Sequence, residues 1–275
     1  MAWYGNYYPA FRIRPPNDAH VLCVNLRLNI GTMRIEKDMK LADVIHHDFN
    51  LVPVINRFGI HLGFGDGTIE QICKEHKVNV AFFLIIINVY HDPQYFPKKH
   101  LQSFPVGSLV AYLHNAHEYY LEQKIPEIKK LIVKLTEESG DKHKNNFKLA
   151  FNFFEEYEHE LTAHIDREET SVYPYVVELE KVIESGTAPD KVLARMQSYS
   201  ITDYEDEHEN VEEKLYDLKN LIIKYLPSVK NDAISYNILL ELFDLEKDLR
   251  EHARIEDMIL VPKVEAMEIT IKKMN

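Results

Sequence analysis

Cysteine is almost missing from this chain, with only Cys23 and Cys73 in 275 residues. That excludes a disulfide framework and a cysteine-rich zinc site, and it matches the usage of a reducing cytoplasm. Glycine is scarce at 9 residues while Leu, Ile, Glu and Lys are plentiful, a balance that favours helix. No long apolar run is present. The longest, Val80–Ile87, is far short of the ~18–20 residues a spanning helix needs, so no membrane partner is expected. The first 30 residues carry Arg12, Arg14, Pro15, Pro16 and Asp18 and no clean apolar stretch, so no signal peptide is expected and the localisation reads as cytoplasmic. Excess positive charge is also lacking. At a net −12, the chain would repel a phosphate backbone, which excludes general nucleic-acid binding.

What is present organises into four parts. Residues 1–32 are rich in Tyr, Asn and Pro and show no period; they read as a disordered tail or an upstream mis-start, because Met33 opens an ordinary protein beginning. Residues 33–92 read as a small helical domain of four short helices. Thr68–Gln71 has the form of a capping box, Asn79 can cap the last helix, and Gly59 can stop the second. Residues 93–107, with Pro93, Pro97 and Pro105, read as a linker. Residues 108–275 carry four long helical stretches, capped at the start by Ser108 and bent at Pro126; the third runs from Leu193 through Met196 and His208 to Pro227. Short connections imply antiparallel neighbours. The expected fold is therefore all-α: an up-down-up-down four-helix bundle preceded by a small helical domain.

One pattern occurs twice. His164 and Glu168 are followed by Pro174, and His252 and Glu256 by Pro262, both with the form H-x3-E-x5-P. A spacing of four puts imidazole and carboxylate on one helix face, one turn apart. His117 and His208 occupy leucine-like slots in the other two long stretches. Four inward imidazoles and two inward carboxylates cannot be left unpaired in a core, and a metal supplies the missing positive charge. Six such side chains oversupply one ion. Two ions fit, each held by two histidines, with Glu168 and Glu256 bridging and an oxo or hydroxo group between. Imidazole with carboxylate suits iron, with manganese the lesser alternative, and disfavours copper(I) and structural zinc. A bis-histidine haem would leave both glutamates without a role.

Residues 108–270 resemble a hemerythrin-like HHE domain. The resemblance rests on His117 in HNAHEYYLEQKIPEI, His164 and Glu168 in HELTAHIDREETSVYP, His208 in DYEDEHENVEEKL, and His252 and Glu256 in LREHARIEDMILVP. With Leu41–Ile45 and Ile55–Ile60 ahead of it, the chain resembles the RIC (repair of iron centres) family. That resemblance implies a non-haem di-iron centre used against nitrosative and oxidative stress, with damaged iron–sulfur proteins, nitric oxide or dioxygen as partners. A sensor or carrier that binds oxygen or nitric oxide without turnover is the alternative. Hemerythrin carriers generally use five histidines; four leave a more open site and favour reactivity. The family's N-terminal Cys-Cys-Gly-Gly segment is replaced here by Gly59-Ile-His-Leu-Gly63-Phe64-Gly65, so both thiols are gone and Cys73 does not replace them.

Other polar residues have plainer readings. Glu160, one turn before His164, and Glu207, beside His208, could line a polar route or hydrogen-bond a ligand imidazole, or could be surface carboxylates. His114, His159, His46 and His47 read as flank or surface residues, and Tyr119, Tyr120 and Tyr175 as core aromatics. The Phe82–Ile87 run reads as packing; were it exposed, it would point to a homodimer.

Overall fold

A computed structural model describes residues 33–138, 144–198, 205–227 and 232–274, with the side chains of 144, 197–198, 205–210 and 232 outside that description. The tail 1–32 and Gly140, expected to end the first long helix, lie outside the described residues. Apart from an isolated β-bridge between Lys40 and Thr68, the described elements are all helical. Residues 36–275 form one compact unit.

Its first part holds four short helices: α1 (Leu41–His47), α2 (Leu51–Asn56), α3 (Ile69–Glu75) and α4 (Val80–His91). Thr68 and Gln71 form the reciprocal capping box that starts α3, and the Asn79 side chain accepts from Phe82 N at 3.0 Å to start α4. Gly59 takes φ +71° just past α2, a left-handed conformation that favours glycine. Phe82, Phe83, Ile86 and Ile87 are buried within the chain, so they offer no exposed patch for a second copy.

The proline-rich stretch contains one turn of helix, α5 (Lys98–Leu101), and is tied down by the bundle's last rod. Arg254 donates to the Pro93 carbonyl at 3.1 Å and lies over the Phe96 ring, and Lys263 donates to the Gln102 carbonyl at 2.8 Å. The first rod begins at Val106, ahead of the expected Ser108. Its cap comes from elsewhere in the chain: the Glu180 carboxylate accepts from Val106 N at 2.7 Å and Gly107 N at 3.2 Å. A carboxylate there pairs N–H groups that have no helical partner and suits the positive end of the helix dipole.

Four rods pack as a bundle. The first is α6 (Val106–Tyr119) and α7 (Ile125–Glu138); the second is α8 (Lys144–Arg167) and α9 (Tyr173–Ser185). The short helix α10 (Asp190–Ser198) intervenes before the third rod, α11 (Glu205–Tyr225); the fourth is α12 (Asp232–Ile255) and α13 (Val261–Met274). Leu193 and Met196 lie on α10; residues 199–204, between it and α11, lie outside the described residues. Gly186 ends α9 at φ +68°.

Pro126 does not simply kink the first rod. A π-helical turn, Tyr120–Lys124, precedes it, and matching turns, Glu168–Val172 and Glu256–Leu260, precede Pro174 and Pro262. In each, the N–H just before the proline bonds back five residues: Ile125 to Tyr120, Tyr173 to Glu168, Val261 to Glu256. A proline ring has no N–H and collides with the carbonyl four residues back, and a wider turn removes the collision without ending the helix. Among the described residues, no helix is long and apolar enough to cross a membrane.

Candidate metal centre

The repeated spacing becomes a repeated local geometry. His164 lies in the last turn of α8 and its Nε2 is 3.0 Å from Glu168 Oε1; His252 lies in the last turn of α12 and its Nε2 is 3.3 Å from Glu256 Oε2. In both rods the glutamate is the first residue of the π-turn. Across the bundle, His117 of α6 reaches Glu168 Oε2 at 3.1 Å and His252 Nε2 at 3.0 Å. His117, Glu168, His252 and Glu256 thus present donor atoms that all lie within 4.8 Å of one another, and all four residues are buried. His164 joins them through Glu168. His208 and Glu207 fall in α11, but their side chains lie outside the described residues.

The exposures of Glu168 and Glu256 are 1% and 0%. Two carboxylates withdrawn so far from water cost several kcal/mol unless positive charge accompanies them. Imidazole nitrogens and carboxylate oxygens converging on one point supply what a first-row divalent cation binds. The donor set fits a metal ion.

Outer partners orient the donors. His117 Nδ1 meets Glu169 Oε1 at 2.6 Å, which directs Nε2 into the cluster. Glu169 in turn meets His114 Nδ1 at 2.9 Å, so His114, read as a flank residue, supports the ligand side of α6 at one remove. Burial opposes a proton on His117, but Glu168 and Glu169 outweigh it and hold the group up to about 9. Burial works against charge on Glu169, and His117 and His114 more than offset it, keeping that carboxyl below its usual range. The buried Tyr173 hydroxyl donates to Glu256 Oε1 at 2.7 Å, and its ring stacks on His117 with centroids 5.5 Å apart. Burial, with Glu256 and Glu168 nearby, pushes the Tyr173 phenol well up, so it remains a donor. Tyr120 places its ring edge against His252.

Glu169 and Tyr173 are absent from the sequence reading. Glu169 stands outside the apolar stripe, and Tyr173 occupies the last variable place of the first H-x3-E-x5-P, where the second repeat has Val261. Glu160 pairs with Lys214 at the surface; both border a cleft that reaches His164. Beside the cluster lies a cavity of about 20 Å³, lined by His117, His164, Glu168 and His252 and by apolar Leu161, Ile165, Val211 and Leu249. It has room for a water-sized molecule. In the segment that replaces the cysteine pair, Gly63 and Gly65 take φ +103° and +72°, so the tight loop persists without thiols. Cys73 is buried, and burial pushes its thiol up to about 12, so it is inert.

Comparison with known proteins agrees with this chemistry. The family model described as "Hemerythrin HHE cation binding domain" matches residues 109–264. The chain is similar to "Iron-sulfur cluster repair protein ScdA" of Staphylococcus haemolyticus (strain JCSC1435), 19% identical over 213 residues that cover 76% of this chain and 90% of that relative.

Proposed function

The chain belongs to the hemerythrin HHE cation-binding family, and from that premise we propose that it is a non-haem di-iron protein of the stress response, serving to repair iron–sulfur clusters or remove nitric oxide. The observation that carries the reading is the buried convergence of His117, Glu168, His252 and Glu256, with His164 on Glu168. His117, His164, His208 and His252 would hold the ions, with Glu168 and Glu256 between them. Iron bound there would supply one-electron redox chemistry. Glu169 holds a proton on His117 Nδ1 and leaves Nε2 directed inward. Tyr173 donates to Glu256 and restrains that carboxylate. Leu161, Ile165, Val211 and Leu249 keep the adjoining cavity apolar and small, which suits nitric oxide or dioxygen over larger polar substrates.

Similarity to a relative named for cluster repair supports the repair side of this reading. The test is metal analysis of the native protein and of His164→Ala, alongside anaerobic nitric oxide turnover with a reductant and restoration of a damaged cluster in a client enzyme. Paired iron in the native protein with turnover or restoration is expected. Reversible gas binding without product would instead make it a sensor or carrier. A native protein without iron would overturn the reading.

A further inference from the structure

Arg57 lies outside the candidate centre, yet it binds both helices whose histidines face one another across it. The carbonyl of Arg57, just past α2, accepts from Asn115 Nδ2 of α6 at 2.6 Å. Its Nη1 donates to Asp248 Oδ1 of α12 at 2.9 Å and to the hydroxyls of Tyr90 and Tyr112 at 3.2 and 3.3 Å, and its Nη2 pairs with Asp248 Oδ2. Asn115 precedes His117 by two residues, and Asp248 precedes His252 by one helical turn. Asp248 also accepts from the Tyr120 hydroxyl at 3.0 Å, and the Tyr120 ring stands edge-on to His252 at 5.7 Å. The guanidinium side chain is 1% exposed.

A buried ion pair is weak evidence for stability, because an apolar pair of similar volume often does as well. A two-pronged guanidinium–carboxylate contact is directional, fixing distance and angle together. Here the fork fixes Arg57 to α12, while its carbonyl and its bond to the Tyr112 hydroxyl hold it to α6, close to both ligands. We infer that Arg57 is a positioning residue of the metal centre: the short helices before the bundle supply a brace that sets the separation of the His117 and His252 imidazoles. The inference rests on reading the cluster as a metal centre.

The test uses the full chain and two variants. Arg57→Met with Asp248→Asn removes both charges while leaving Tyr120 an acceptor; Arg57→Lys keeps the charge without the fork. Ferrous iron affinity is measured anaerobically against a chelator. The imidazole resonances of His117 and His252 are followed in the metal-free protein. In both variants affinity should fall about tenfold and both sets of resonances should move, while helical circular dichroism stays native. Native affinity and unmoved resonances in a folded variant would overturn the brace, leaving Arg57 a stabilising contact. If the double variant does not fold, Arg57→Lys decides by the same two readings. If the unaltered protein takes up no iron, the metal reading fails by itself. The metal-free imidazole resonances then decide the brace: moved rings uphold it and unmoved rings overturn it.

Discussion

The second and fourth rods carry the same motif and the same backbone device, yet their surroundings differ. Each carries a histidine in the last turn of an α-helix, opens a π-turn on a glutamate and passes a proline six residues later. On the second rod, Glu169 grips His117 and Tyr173 crosses to Glu256. On the fourth, Val261 stands where Tyr173 would, and Asp248 ties the rod to Arg57 and Tyr120. The repeat builds the donor set, and the residues that break the repeat decide how each donor is held. Two ions placed between these rods would therefore sit in unlike fields.

The largest effect is expected from removing the shared element. Glu168→Leu or Glu256→Leu should each lose half or more of the bound iron, read by metal analysis. The metal-free Glu168→Leu protein should become less stable in urea, since buried His117 loses a carboxylate that holds its proton. A variant that binds iron fully would show that the repeated glutamates are not ligands. Next comes Tyr173→Phe, which keeps the ring against His117 and removes the bond to Glu256. It should weaken iron binding about tenfold and so test whether the asymmetry between the rods matters to the ions.

The pH response sharpens the comparison further. His117 is held up to about 9 in the metal-free chain, against an ordinary value near 6.5, because Glu168 and Glu169 outweigh burial. The stability this proton contributes is full below about pH 6.5 and is lost as pH rises through about 9. Glu169→Gln should move that loss to lower pH, seen in the urea midpoint and in the His117 ring titration. The smallest effect is expected at Lys214→Ala. Its partner Glu160 is 41% exposed, and such pairs contribute under about 1 kcal/mol. Iron binding should be unchanged.

What could be read from the sequence was whatever depends on local spacing. An imidazole and a carboxylate four residues apart must share a face, so both His–Glu contacts were legible, as were the capping box at Thr68 and the stop at Gly59. The outer partners were not legible, because they join distant positions: Arg57 and Asp248 are 191 residues apart, Tyr173 and Glu256 83 apart. Nor does hydrophobic period betray them, since Arg57 and Asp248 are polar groups at a packing surface. The π-turns had a signal that periodicity overlooks, a proline at a fixed distance beyond each buried glutamate of the repeat. At the first rod the same distance leads back to Tyr120, which takes the place held elsewhere by a carboxylate.

Those prolines have a further consequence. Pro126, Pro174 and Pro262 contribute no amide hydrogen, so three rods cannot anneal into uniform spirals. The widened turns that open on Glu168 and Glu256 are thus set by the main chain itself. Loading and unloading then ask only for small adjustments of side chains, and the far-ultraviolet dichroism of the empty and filled protein should superimpose.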